Sequence, residues 1–377
     1  MKVCYWGTYD KDYSRNRIIM SGLRKNGIDV VECHIKIWRD TAEKITKVST
    51  RWINIPLILK IILVYLKLSL RFLFSRRVDF IIVGYSGHFD VFVAKILSKL
   101  KSIPLVFDAF LSLYDSLVLD RKIVQRGSFK SKILWWVDKH ACRLADVVLL
   151  DTEAHIDYFC SEYNLPKKKF KRILIGADDS IFSPCKTNTD SRPFTILHYG
   201  KYIPLHGLSY IIRAAKELEG TGIHFKLIGS GDEYDSTVNL AKDLKVKNTE
   251  FINFMPQKQL IEEIRKADIC LGIFGNTAKA KRVIPNKVYE CMAMRKPVVT
   301  GDSLASRELL INRENSLLCE VANHRSLANT ILQLKNNQSL RATIATKGYE
   351  LYQRKSSPKV LGKQLKGVLE EQLNSKA

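Results

Sequence analysis

Short apolar runs alternate with helical patterns along the whole chain. Lys2–Trp6 reads as a strand that ends at Gly7. Ser14–Asn26 reads as a helix, with Ile18, Ile19 and Leu23 on one face and Gly27 after it. Ile28–Cys33 is the next strand. Strand, helix and strand at this spacing form a βαβ unit, whose strands pair in parallel. The theme returns at Phe80–Val83, Leu105–Phe107, Val147–Leu150 and Arg172–Ile175. Gly176–Pro193 interrupts it, since this stretch is rich in Asp, Ser and Pro and lacks periodicity. A second series then offers strands at Thr195–Tyr199, His224–Ile228, Thr249–Asn253, Ile269–Phe274, Val298–Thr300 and Ser316–Cys319. Leu208–Leu218 and Leu260–Lys266 are helices between them, and Ser326–Lys335, Ser339–Tyr352 and Pro358–Leu373 close the chain in helical pattern. The pattern predicts an α/β protein of two Rossmann-like, doubly wound domains over residues 1–178 and 194–354. A linker at 179–193 joins them, and a C-terminal helix within 355–377 returns toward the first domain. Such sheets bind ligands outside the carboxyl ends of their strands, so the active site is expected in a cleft between the domains.

Composition agrees with two globular domains: 377 residues, 46% hydrophobic and 26% charged. The charge balance adds more. With 61 Lys plus Arg against 38 Asp plus Glu the chain carries +23. That excess suits anionic partners such as nucleotide phosphates, an acidic membrane surface or nucleic acid. No helix-turn-helix, RRM or zinc signature is present, and the charge spreads over both halves, so nucleic acid is the least supported of the three. The eight cysteines are scattered without a CxxC pair or zinc spacing, which fits buried thiols in a reducing compartment and no metal site. The opening MKVCYWGTYD reads as a strand and has no apolar signal-peptide region, so a cytoplasmic location is expected.

One stretch stands apart. Between Glu43 and Asp79 there is no acid, whereas Lys44, Lys47, Arg51, Lys60, Lys67, Arg71, Arg76 and Arg77 are all basic. Within segment 52–77 Lys60, Lys67 and Arg71 are spaced seven and four apart, which places them on one helical face among Ile, Leu, Val, Tyr and Phe. Three cations in mid-segment make a membrane span costly. A basic amphipathic helix in an anionic interface accounts for both the charge and the apolar surface, and is placed ahead of a buried core helix. The basic run Lys167–Arg172 fits either an assisting contact or a solvated loop.

The second series holds the chemistry. Gly200-Lys201-Tyr202-Ile203-Pro204-Leu205-His206-Gly207 follows its first strand and opens a helix. Glycine lets a ligand approach the backbone, and a helix N-terminus offers free N–H groups to an anion. Gly229-Ser230-Gly231 repeats the arrangement at the next strand end. Pro285 and Asn286 are helix-start residues, and Glu290 lies one turn into that helix, where a carboxylate can accept from two vicinal hydroxyls of a ribose. Taken singly, each has a plain structural alternative: ordinary βα turns for the glycines, a surface helix acid for Glu290.

Together these residues resemble family 4 of the retaining glycosyltransferases, which have the GT-B fold. That family shows Glu, seven residues and Glu, the second acid opening an E-A-M-A-x-G-x-P-V-V run. The second acid is matched by Glu290 in YECMAMRKPVV, and the resemblance implies that Glu290 holds the donor ribose. The first acid position is Arg282, a departure that bears on how the donor sugar's hydroxyls are held. The family's diphosphate site resembles GKYIPLHG, with Lys201 at its Arg position and His206 at its Lys position. Gly229, Gly231 and Phe274 (in LGIFG) match further landmarks on the donor side. In the first half Gly7 occupies the place of the glycine-rich loop near the donor phosphates. His88 (in GYSGH) and Asp108 stand at strand ends, where acceptor and reaction-centre groups are found. The resemblance implies a UDP- or GDP-linked sugar as donor, retention at the anomeric carbon and no cofactor. Its implied catalytic set is Arg282, Asp108 and His88.

No convincing DxD motif is present, Asp10-Lys11-Asp12 being the nearest. Lys201, helix N-termini and Arg282 are therefore expected to stabilise the leaving diphosphate without metal. The expected acceptor is a lipid-linked glycan at the inner face of the cell membrane. A sugar-nucleotide epimerase of the same fold, a basic nucleic-acid-binding protein and a non-catalytic relative are the alternatives.

Overall fold

The computed structural model describes residues 1–37, 55–75, 77–184 and 193–374. Expectations for Cys185, Lys44, Lys47, Arg51, Arg76 and most of the linker lie outside these residues. The chain divides into two compact units, one of Met1–Leu174 with Pro358–Ala377 and one of Ile175–Ser357.

The first unit is a parallel six-stranded sheet in the order β2-β1-β3-β4-β5-β6. Its chain order is β1 (Lys2–Gly7), α1 (Ser14–Lys25), β2 (Asp29–His34), α2 (Ile55–Leu73), β3 (Phe80–Val83), α3 (Asp90–Leu100), β4 (Leu105–Asp108), α4 (Phe129–Leu144), β5 (Val147–Leu150), α5 (Glu153–Tyr163) and β6 (Phe170–Arg172). The central strands FIIV, LVFD and VVLL are buried throughout, as sheets covered on both faces require. One face is covered by α2, α3, α4 and α5, whose Leu68, Phe72, Val91, Ala94, Ala141 and Phe159 share a core with the strands.

The last expected strand of this sheet lies elsewhere. The ladder ends at Arg172 rather than running from Arg172 to Ile175. Ile173 still donates to Leu150 O, but the carbonyls of Ile173 and Leu174 accept from Arg15 Nη1 at 2.9 and 2.6 Å. A buried arginine takes the bonds that a further ladder would need.

The second unit is a second parallel sheet in the order β12-β11-β10-β7-β8-β9. It comprises β7 (Phe194–Tyr199), α6 (Leu208–Glu217), β8 (Ile223–Ile228), α7 (Tyr234–Asp243), β9 (Thr249–Ile252), α8 (Gln257–Lys266), β10 (Ile269–Leu271), α9 (Asn286–Ala293), β11 (Val298–Gly301), β12 (Leu317–Cys319), α10 (His324–Asn336) and α11 (Gln338–Lys355). The strand expected to reach Phe274 stops at Leu271. Phe274 and Gly275 turn to donate to His206 O and Leu205 O instead.

A final helix, α12 (Pro358–Asn374), belongs to the first unit and packs on α1. The contact is glycine on glycine: a Cβ on Gly362 would lie 2.0 Å from Gly22 O, and one on Gly22 would lie 2.3 Å from Pro358 O.

Candidate active site

Three loops at the carboxyl ends of β7, β8 and β10 are joined through their backbones. Gly200 donates to Ile228 O (2.9 Å), Tyr202 to Ser230 O (3.0 Å), and Phe274 to His206 O (3.1 Å). Gly229 and Gly231 are glycine for a steric reason. Their φ values are +137° and +156°, and a Cβ would meet Gly200 O at 1.9 Å and Tyr202 O at 2.6 Å. The two glycine turns are therefore one structure, pressed backbone to backbone. The loop leading to α9 joins them through Ala280 and Val283, which pack with Leu205. This sets the partly buried Arg282 in a loop packed on the Pro204–His206 turn.

The centre of the site is Lys287, in the first turn of α9 behind Pro285 and Asn286. It is buried, with Nζ 3.2 Å from His198 Nε2 and 3.5 Å from His206 Nδ1. A Cβ on Gly200 would lie 3.5 Å from the same Nζ. Burial pulls the ammonium down from 10.5 to about 7. Burial and then the Lys287 charge hold both imidazoles well below their ordinary range, so they are neutral near pH 7. The expected charge on His206 thus resides on Lys287, while Lys201 stands exposed beside it.

One turn along α9, Glu290 accepts from Tyr199 OH at 2.7 Å. Tyr199 is itself buried at the end of β7, so the strand aims the acid. Phe274 is fully buried and supports the site from within.

Three expected residues of the first unit have interior roles. Asp108 is completely buried and holds Arg15, whose Nε and Nη2 donate to it at 2.9–3.2 Å. It is a structural ion pair, and neither carboxylate oxygen faces solvent. His88 is 1% exposed; its Nε2 is 2.9 Å from Leu111 O and 3.6 Å from Asp138 Oδ1. Gly7 (φ +129°) lies over Asp90, where a Cβ would come within 2.4 Å of Oδ2. Thr8 N–H donates to that carboxylate at 2.7 Å, so the Gly7 turn rests on an internal anion. Among the described residues, no group of three or more His, Cys, Asp or Glu is placed to hold a metal ion.

The family pattern of glycosyl transferases group 1 matches residues 180–351. The alpha-D-kanosaminyltransferase of Streptomyces kanamyceticus is 23% identical over 74% of each chain. The chain is a glycosyltransferase whose second unit carries the group 1 pattern. The lipopolysaccharide core biosynthesis glycosyltransferase LpsE of Rhizobium meliloti is 24% identical over 44% of this chain and 46% of that one. Among solved structures, HepE of Anabaena in complex with UDP superposes with a TM-score of 0.70 over 98% of this chain and 100% of that one, at 17% identity. Sucrose-phosphate synthase of Thermosynechococcus elongatus reaches 0.73 over the whole of both chains at 14% identity. The fold of this glycosyltransferase is GT-B, built from two Rossmann-like domains.

Sequence reasoning missed Lys287 and His198 in this glycosyltransferase. The signal for Lys287 was its place one residue after Pro285-Asn286, in the first turn of the helix that carries Glu290. A lysine there reads as solvent-facing until the fold covers it. His198 sits inside an apolar strand and carries no local signal.

Proposed function

We propose that this glycosyltransferase binds a UDP- or GDP-linked sugar in its second unit, with the diphosphate against Lys287, Lys201 and the Gly200 turn. The observation that carries the reading is the buried Lys287 ammonium between two neutral imidazoles. Leaving a cation out of water is costly, and an anionic ligand at the same place offsets that cost. The ribose hydroxyls are assigned to Glu290, which Tyr199 already orients. Charge builds on the diphosphate as the glycosidic bond breaks, and the positioned cations, with Arg282, stabilise it without metal. Retention at the anomeric carbon belongs to the same reading.

The acceptor is assigned to a lipid-linked glycan of surface-polysaccharide or glycoconjugate synthesis. The names of LpsE and of the capsular polysaccharide glycosyltransferase CapM of Staphylococcus aureus support that class. So does α2, which turns Ile58, Leu59, Ile62, Leu63, Leu66 and Leu70 outward. In this reading the enzyme works peripherally on the anionic inner face of the cell membrane. Calorimetric titration with UDP, GDP and their sugars in excess EDTA tests the donor half. One nucleotide series should bind the wild type and fail to bind Lys287→Met. Equal binding by a folded Lys287→Met protein would move the diphosphate elsewhere.

A further inference from the structure

A second basic cavity lies in the first unit, between α3 and α4. Its volume is about 680 Å³, and Lys95, Lys99, Trp136, His140, Arg143 and Lys169 line it. One wall is aromatic: Phe92 stacks on Trp136 (5.5 Å, 5°), and His140 stacks on the same indole (4.2 Å, 25°). Four Lys and Arg face one carboxylate, Asp146, which Lys95 already binds at 3.2 Å. Lys99 and Arg143 are exposed and form no ion pair among the described residues. Lys169 covers the last carbonyls of α4, donating to Cys142 O (3.1 Å) and Arg143 O (2.6 Å), so the negative end of that helix does not repel an anion. Burial pushes the Lys169 ammonium down; Asp146 offsets part of that, and Lys95 and Arg143 add smaller lowering contributions.

Position argues against a sugar-nucleotide site. Lys99, Arg143, Asp146 and Lys169 stand at the ends of α3 and α4 and just before β5 and β6, at the amino edge of the sheet, while Phe92, Lys95 and Trp136 lie further along the two helices. Substrates of doubly wound sheets bind at the opposite, carboxyl edge. The end of α2 reaches this same amino edge, where Lys101 Nζ donates to Ser75 O. Arg71 and the 87%-exposed Phe74 lie there, and Ile96 and Leu100 of α3 add exposed apolar surface.

We propose that this cavity takes the phosphodiester headgroup of an anionic phospholipid, with the acyl chains running over the apolar surface of α2 and α3. The inference deepens the membrane reading above and rests on it for the choice of ligand. Lys99 and Arg143 supply the charge, and Trp136 supplies an amphipathic wall of the kind found at the headgroup level.

Dihexanoyl-phosphatidylglycerol below its critical micelle concentration serves as the probe, followed by tryptophan fluorescence. The wild type should give a saturable change that is lost in Trp136→Phe. Lys99→Gln/Arg143→Gln should weaken the apparent Kd at least tenfold, whereas Lys60→Glu, at the far end of α2, should keep it within twofold. No saturable change, or an unaltered Kd in Lys99→Gln/Arg143→Gln, overturns the proposal. An equal response to inorganic phosphate also overturns it, because the site would then serve the free ion. Vesicles of phosphatidylglycerol separate the two ideas. A wild type that ignores vesicles but binds the soluble lipid removes the membrane reading and leaves the site. A wild type that binds vesicles but not the soluble lipid does the reverse.

Discussion

Lys287 is held against the cost of burial, and that gives it two measurable signatures. Its folded pKa of about 7 lies below the ordinary 10.5. Between those values the unfolded chain holds a proton that the folded chain has released, so this residue makes stability rise with pH across that window. Below about 7 both states are protonated and the full cost of the buried charge is present. Lys287→Met should therefore stabilise the unliganded enzyme at pH 7, on the order of 1–4 kcal/mol in urea denaturation, with the gain fading toward pH 10.5. The second signature concerns the donor. A diphosphate favours the protonated amine, so donor affinity should fall as pH rises above about 7, by up to about tenfold per pH unit. Titration calorimetry at pH 8 should show proton uptake on binding, absent from Lys287→Met; a wild type with neither effect would separate Lys287 from the diphosphate. Arg15 makes the contrasting case. Its partner Asp108 was legible in the sequence only as an acid at a strand end, which is also what a catalytic group looks like. Nothing local revealed that Arg15, 93 residues away, would bury it. Arg15→Met should cost about 3–5 kcal/mol by stranding that carboxylate, which thermal unfolding would register. If the variant keeps wild-type stability, the pair is not the structural element described here.

At the level of elements, most strands and helices follow from the alternation of apolar runs, because βα repeats write their periodicity locally. The misplaced ends of β6 and β10 share one cause. Arg15 and the His206 loop, both distant in sequence, take the hydrogen bonds that would have prolonged those strands. The packing of α12 on α1 was likewise hidden. The amphipathic pattern announces a helix over Pro358–Leu373, but only contact between Gly22 and Gly362 shows where it docks. Gly362→Ala puts a methyl against backbone that has no side chain to move, so it should destabilise by about 1–3 kcal/mol. Gly367→Ala on the same helix meets nothing within 4 Å and should be neutral or stabilising by up to about 1 kcal/mol. Urea denaturation of the two variants side by side checks the contrast, and equal effects would mean that the helices are not in close contact.

For the whole molecule, a charge of +23 acquires meaning from where apolar surface is left uncovered. Among the described residues no helix is long and apolar enough to cross a membrane. Yet α2 buries only Leu68 and Phe72 fully, while Ile55, Leu63 and Leu66 are more than half exposed. The sequence pattern showed the cationic stripe and put an interfacial helix ahead of a core helix, although the two share the same apolar fraction. In the fold the helix has both kinds of surface. One side of α2 meets the core, another stays apolar toward solvent, and Lys60, Lys67 and Arg71 are exposed along it. On the membrane reading, the protein should sediment with phosphatidylglycerol vesicles and only weakly with phosphatidylcholine. Raised salt should release part of it, since Coulomb attraction is screened while apolar insertion is not. Each interfacial cation contributes roughly 1 kcal/mol, so Lys60→Glu/Lys67→Glu/Arg71→Glu should weaken vesicle binding by at least about 100-fold. Donor binding in solution should be unchanged in that variant, because these residues belong to the first unit and the donor residues to the second. Binding that survives charge reversal, or a wild type indifferent to lipid charge, would leave the exposed face of α2 to a protein partner.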